Sequence, residues 1–418
     1  MTAMAAHLLT WAIVLIATAC VIARPFRWPE AIWAVGGAGL LVILGLLPVA
    51  SAVRAVAKGN DVYLFLTGMM LLSEVARREG LFDWVATMAV NASHRSPARL
   101  FLLVYAVGTI VTVFLSNDAT AVVLTPAVFA ATRKARVEPL PYLFICAFIA
   151  NAASFVLPIS NPANLVLYGN HVPALGAWLP RFAVPSLGSI VATYIALRFT
   201  QSRRLGRQCE AALAQPMLSR DGATALLGIC ATAIVLMIVS AFDLSLGLPT
   251  ALMGGLTALV IILQQRASPW PIVKDISWSV LPLVAGLFVL VEALGSTGVI
   301  TALAGALRNA ASASEVMTAA GAGGLIALAS NLINNLPAGL IASALVDAAH
   351  ATQRITDAVL IGVDLGPNLS ITGSLATILW LTAIRRDGGN VSFVQFLKVG
   401  LVVMTPALSL ALACRLLL

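Results

Sequence analysis

Apolar stretches of about 17 to 25 residues, the length a bilayer core asks of a helix, alternate with short polar breaks along the whole chain. The first half reads as spans near 8–23, 30–50 and 61–77, a pair of runs at 99–115 and 119–132, an interrupted run from 141 to 170 and a span at 176–197. The second half repeats that order at 222–241, 247–264, 276–294, a pair at 317–330 and 336–349, an interrupted run from 356 to 385 and a last span at 393–416. The markers recur too: Gly68, Glu74 and Gly80 return 218 residues later as Gly286, Glu292 and Gly298. Each Glu is followed by an Asn-rich polar knot, Ser116-Asn117-Asp118 in one half and Asn334-Asn335-Leu336-Pro337 in the other. Further on come Ser160-Asn161-Pro162-Ala163-Asn164 and Asp364-Leu365-Gly366-Pro367-Asn368. Two copies of a long helix, an interrupted hairpin and a broken helix are the pattern of a secondary transporter.

The reading is therefore an all-α polytopic membrane protein of two inverted repeats of five spans each, each with a re-entrant hairpin and a broken helix. Residues 1–200 form the first repeat, with its hairpin tip at 116–118 and helix break at 160–164. Residues 201–221 form a cytoplasmic linker, and 222–418 the second repeat, with tip 331–337 and break 364–368. Five crossings per repeat invert the second copy relative to the first.

Composition agrees. Of 418 residues, 60% are hydrophobic and 10% charged, and the mean hydropathy is +0.98, too little polar surface to cover a water-soluble globule. The net charge of +8 sits in short loops, where it reports orientation rather than nucleic-acid binding. Arg198, Arg203, Arg204, Arg207 and Arg220 make the central loop cytoplasmic. The flanks of the first hairpin, with Arg77, Arg78, Arg95, Arg99, Arg133, Lys134 and Arg136, fall on the same side, as do Arg266, Lys274, Arg385 and Arg386. Segments 170–175 and 242–246, expected outside, hold no Lys or Arg, and the outside flanks of the second hairpin have only Arg308 and Arg354; the loop with Arg54 and Lys58 is also placed outside, against the rule. The first run, ending Ala17-Thr18-Ala19-Cys20, has no preceding Lys or Arg and reads as a span rather than a cleaved signal.

Broken helix inside a bilayer is tolerated only where protein or a water-filled cavity satisfies the freed backbone groups. Pro162, Pro337, Gly366 and Pro367 break helices where polar residues cluster. One such knot would read as helix-packing glue; four in register across two repeats read as a binding site. Asp118 and Asp364 are costly to keep charged inside a membrane, which suits them to carrying protons. Glu74, with Arg77 and Arg78 one turn on, reads equally as a structural ion pair, Glu292 is open, and Asn151 reads as helix packing in preference to cavity lining. The five cysteines, Cys20, Cys146, Cys209, Cys230 and Cys414, form no C-x-x-C pair and read as small apolar residues. The four His lack metal spacing, and no Walker loop or H-E-x-x-H motif is present, so neither a cofactor nor a fixed metal is expected.

Phe114-Leu115-Ser116-Asn117-Asp118-Ala119-Thr120, Asn331-Leu332-Ile333-Asn334-Asn335-Leu336-Pro337, and Gly362-Val363-Asp364-Leu365-Gly366-Pro367-Asn368 with Gly373-Ser374-Leu375-Ala376-Thr377 together resemble the ArsB family of arsenite and antimonite efflux permeases, within the ion transporter superfamily. The resemblance covers essentially the whole chain. It implies a bacterial inner-membrane antiporter that exchanges As(OH)3 or Sb(OH)3 for protons, in some organisms beside a soluble arsenite-stimulated ATPase. A neutral trihydroxy solute needs amides and hydroxyls rather than Arg clamps, and the knots hold Asn, Ser and Thr without Arg or Lys. Ser116, Asn117, Thr120, Asn161, Asn164, Asn334, Asn335, Asn368 and Ser370 are the expected substrate-binding set, with Asp118 and Asp364 coupling protons. The alternative is a sodium-coupled dicarboxylate symporter or sodium/proton antiporter of the same superfamily.

Overall fold

The computed structural model describes residues 2–169, 172–205, 217–386 and 388–417. Arg207, Cys209 and much of the linker 201–221 lie outside the described residues. Among those described, every regular element is helical, as an apolar chain with few residues able to solvate a free strand edge requires.

The order of elements is the same twice over. In the first half come α1 (Ala3–Ala23), α2 (Glu30–Ile43), α3 (Val49–Lys58), α4 (Asn60–Arg78), α5 (Leu81–Ala92), α6 (Pro97–Leu115), α7 (Thr125–Lys134), α8 (Leu140–Ala152), α9 (Pro162–Tyr168) and α10 (Leu175–Gln201). In the second come α11 (Arg220–Ala241), α12 (Gly247–Gln265), α13 (Trp270–Asp275), α14 (Val280–Ser296), α15 (Val299–Ala313), α16 (Glu315–Ile333), α17 (Asn335–Ala349), α18 (Gln353–Leu365), α19 (Leu375–Arg386) and α20 (Phe393–Leu417). Seven helices among the described residues are long and apolar enough to cross a membrane alone: α1, α6, α10 with its short C-terminal extension, α11, α12, α16 and α20. The pair α14 and α15 passes the same test together, bent by 74°.

The recurring glycines explain themselves in the packing. A Cβ at Gly68 of α4 would overlap the Thr250 carbonyl of α12, and one at Gly286 of α14 would stand 2.7 Å from the Ala34 backbone of α2. Each marker is thus the closest approach of one half's fourth helix to the other half's second, and the pairing is reciprocal. Gly80 and Gly298 both have positive φ, 72° and 83°, and turn the chain into α5 and α15.

Packing divides the helices into two sets. The first contains α1 to α4 and α11 to α14, joined by the α4–α12 and α2–α14 crossings. The second contains both hairpins, both broken helices, α10 and α20, joined by α10–α20, α16–α18 and α6–α8. Helices α5 and α15 lie between the sets, against α4 and α14 on one side and the hairpins on the other.

Four short helices depart from the sequence reading. The apolar run 30–50 is not one helix: it stops at Ile43, turns at Gly45 (φ 69°) and restarts after Pro48 as the amphipathic α3. Segments that read as loops, 81–92 and 299–313, are the helices α5 and α15, and α13 precedes α14. The second arm of the first hairpin opens with a π-helical stretch over 119–124 before α7.

Candidate functional site

Hydrogen bonds run from each hairpin arm to the helix break of its own half, and between the two halves at the breaks. At the first tip Ser116 has φ 127°, and at the second Asn334 has φ 72°. A non-glycine residue held there stores about 1–3 kcal/mol, strain that clusters at functional sites. Each hairpin arm is tied to the break of its own half by side-chain hydrogen bonds, the second through Asn331, Ser370 and Thr372. Ser160 Oγ donates to the Val113 carbonyl of α6 at 3.0 Å. Asn331 Nδ2, at the end of α16, donates to the Gly366 carbonyl at 2.9 Å. The breaks are joined to each other: Asn161 Nδ2 donates to Asp364 Oδ1 at 2.7 Å, and Asn151 Nδ2 to Asn368 Oδ1 at 3.0 Å. Asn368 Nδ2 in turn donates to the Phe148 carbonyl at 3.0 Å. All four polar knots belong to one connected interior.

Local sequence sets these geometries. Pro162 opens α9 while Asn161 Oδ1 accepts from the Ala163 amide at 3.0 Å, a side-chain N-cap at the break. Asn334 repeats the device at α17, its Oδ1 accepting from the Leu336 amide at 3.3 Å, with Pro337 in the first turn. Gly366, Pro367 and Asn368 form a 3-10 turn ending α18, and a Cβ at Gly366 would overlap the Ala327 carbonyl of α16.

The remaining sequence candidates fall into place around this centre. Ser116, Asp118 and Pro162 line a cavity of about 680 Å³. It runs out past Glu74, Asp83 and Asp275 to Arg77 and Arg386, at the ends of α4 and α19. Asn161, Asn164, Asn368 and Asp364 are fully buried. Asn164 donates to the carbonyls of Ser154 and Leu157 at 2.8 and 3.3 Å, holding the break open. Thr120 Oγ1 meets Thr112 Oγ1 of α6 at 2.8 Å and lies in the hairpin's own packing. Ser370 Oγ donates to Asn331 Oδ1 at 2.8 Å. Asn117 and Asn335 are buried at their tips. Asn334 and Pro337 border a separate cavity of about 10 Å³ together with the Arg24–Glu30 ion pair.

Among the buried side-chain oxygens that find no protein donor are Asn117 Oδ1, Asn164 Oδ1 and Asp364 Oδ2 in the knots and Asn151 Oδ1 beside them. The centre as built is rich in free acceptors. A buried acceptor left unpaired costs about 1–3 kcal/mol; none of these four residues is among those lining the 680 Å³ cavity. At the cavity mouth Glu74 accepts from Arg77 at 2.6 Å and from Arg78 at 2.9 Å, the structural ion pair that the spacing allows. Both arginines also reach Asp275, and the Arg78 hydrogen bond holds that exposed carboxyl below its usual range. Glu292, the counterpart of Glu74, pairs with Lys58 of α3 at 2.8 Å.

Two contacts go beyond the sequence reading. Asn331, placed there in the second tip, also clamps the second break; its signal was an amide on the last turn of an apolar run. Asn151, read as helix packing in preference to cavity lining, makes an interhelical hydrogen bond that joins the two halves. Among the described residues no cluster of His, Cys, Asp and Glu could hold a metal ion.

Residues 13–363 match the profile of the citrate transporter family, CitMHS. The chain belongs to that family. Among its relatives, the arsenical pump membrane protein of Escherichia coli K12 is 25% identical over 359 residues, spanning 82% of this chain and 83% of that one. The arsenical pump membrane protein of Yersinia enterocolitica gives the same identity and coverage. An uncharacterized transporter of Mycobacterium tuberculosis is 27% identical over 365 residues, 84% of each chain. These relatives place this CitMHS member with the ArsB-type permeases of the ion transporter superfamily, and it is a membrane transporter. In fold it resembles the YdaH transporter of Alcanivorax borkumensis, with a TM-score of 0.57 at 15% identity over 88% of this chain and 87% of that one. It also resembles MtrF of Neisseria gonorrhoeae, with a TM-score of 0.53 at 14% identity over 90% and 84%.

Proposed function

We propose that the protein exports arsenite and antimonite, as neutral As(OH)3 and Sb(OH)3, in exchange for protons by alternating access. The observation that carries this reading is the chemistry of the joined knots. They present amides, hydroxyls and free side-chain acceptors, with no Arg or Lys among them, to a solute whose accessible groups are three O–H donors. Asp364, with one oxygen on Asn161 and the other free, and Asp118, lining the cavity, are the proton carriers. The naming of relatives as arsenical pumps supports the same substrate.

The two packing sets supply the moving parts: hairpins and broken helices shift against α1–α4 and α11–α14, with α5 and α15 as the links. In the inverted-repeat topology the cavity mouth at Arg77 and Arg386 faces the cytoplasm of a bacterial inner membrane, together with the central loop. The described state is then open inward, ready to load metalloid. The test is arsenite uptake into everted vesicles: an acid lumen should drive accumulation, and collapsing the gradient should abolish it. Uptake indifferent to the gradient defeats the proton-exchange reading.

The family description favours a second reading, a sodium-coupled dicarboxylate symporter or a sodium/proton antiporter, since free side-chain oxygens also suit sodium. The absence of a basic residue among the knots to hold a carboxylate argues against the symporter. Transport that follows sodium rather than pH would select this alternative.

A further inference from the structure

The Asn161–Asp364 contact is one of two polar rungs between the same pair of helices. Seven residues after Asn161, Tyr168 Oη donates to Asp357 Oδ1 at 2.6 Å, and Asp357 lies seven residues before Asp364. As the number rises on α9 it falls on α18, so the helices run antiparallel with two polar rungs about 10 Å apart along the helix axis. One rung is in the transport centre. The other is remote from it, and it is far more heavily held.

Asp357 is fully buried. Besides Tyr168 it accepts from Gln353 Nε2 at 2.7 Å on its own helix, and from Arg415 of α20, Nε at 2.8 Å and Nη2 at 2.6 Å. A buried carboxylate–guanidinium pair is expensive to assemble and is weak evidence for stability by itself. The opposite end of the core shows that this three-helix joint can be built without it. There Phe144 of α8, Trp380 of α19 and Phe396 of α20 pack ring against ring with centroids 5.6 to 6.2 Å apart. Helices α8, α19 and α20 correspond by repeat order to α18, α9 and α10, which carry Asp357, Tyr168 and Trp178, and Tyr168 packs on Trp178 at 5.6 Å. One end is dry and aromatic, the other ionic. A joint that needed only packing would have no reason to differ.

We infer that Tyr168, Asp357 and Arg415 are positioning residues, a remote rung that fixes the register of α9 on α18 and thereby keeps Asn161 against Asp364. Arg415 carries the register to α20, and Tyr168 carries it to the broken helix of the other half. The inference rests on the transport reading of Asp364, but the register itself can be measured without transport.

Two readouts on purified, reconstituted full-length protein test it: hydrogen exchange across 162–168, and arsenite transport resolved into maximal rate and half-saturating concentration. Tyr168→Phe keeps the ring and the ion pair and removes only the donor. It should raise exchange in 162–168 and lower the maximal rate about tenfold, the size of one hydrogen bond to a charged group, with half-saturation within about threefold. Arg415→Lys keeps a charged donor and should stay close to wild type in both. Arg415→Met should show the largest loss, and adding Asp357→Asn to it should recover part of the rate by removing the unpaired charge. Wild-type exchange across 162–168 in both Tyr168→Phe and Arg415→Met overturns the inference, as does a normal maximal rate in Tyr168→Phe. If the wild-type protein moves no arsenite, the transport reading falls, and the exchange comparison still decides whether this rung sets the register.

Discussion

Asp364 can change its protonation without losing its place, because only one of its oxygens is held by Asn161. Asparagine is nearly isosteric and can keep that contact while being unable to carry a proton. Asp364→Asn and Asp118→Asn should therefore insert and fold, yet lower arsenite resistance in a sensitised host by about tenfold or more, as removal of an intramembrane proton relay does. Wild-type resistance in both would remove the proposed carriers. Replacing all five cysteines by Ala should preserve most transport. Cys146 is buried in α8, Cys230 is exposed, and neither these nor Cys20 and Cys414 line the cavity. A stable Cys-less protein that transports nothing would show that thiols, not acceptors, hold the metalloid. The knots were legible in the sequence because Asn and Asp are expensive in an apolar run and coincide with Pro and Gly. The interhelical bonds of Asn331 and Asn151 were not, because a lone amide on an unbroken helical run looks like packing. Asp357 and Arg415 carried a readable signal, one charge each inside an apolar stretch, but lay far from any helix break.

At the scale of elements, long helices were legible and short ones were not. Helices α5 and α15, of 12 and 15 residues, cannot span a bilayer and carry polar residues, so their pattern resembles a loop. The glycines that introduce them, Gly80 and Gly298, were visible only as a repeated spacing whose cause is their positive φ, whereas Gly68 and Gly286 recur because the other half packs directly on them. That packing gives a sharp prediction. Gly68→Ala puts a methyl group onto the Thr250 carbonyl where α4 crosses α12, whereas Gly255→Ala meets open space. The first should cost about 1–3 kcal/mol, as overpacking does, and lower the thermal unfolding midpoint in detergent; the second should not. Equal midpoints would mean that the crossing is looser than described.

For the whole molecule, the sequence showed two copies of one unit, and the structure shows the same ten helices in the same order in each half, with the α2–α14 and α4–α12 crossings reciprocal. Inversion across the membrane is a separate claim, resting on loop charge. It predicts that a cysteine label at Ser202 reacts only from the cytoplasm and one at Asp243 only from outside; labelling of both from one face would require the topology to be redrawn. The register of the four knots already read as one site, but the particular contacts joining the halves span more than 200 residues, and nothing local encodes them. The central claim is that this junction exchanges metalloid for protons, and the most direct measurement compares wild type with Asp364→Asn in reconstituted vesicles. Two modes are read: arsenite counterflow without a gradient, and uphill accumulation driven by one. Wild type should perform both, and Asp364→Asn should retain counterflow and lose uphill accumulation. Proton-driven accumulation by Asp364→Asn at the wild-type rate would contradict the account.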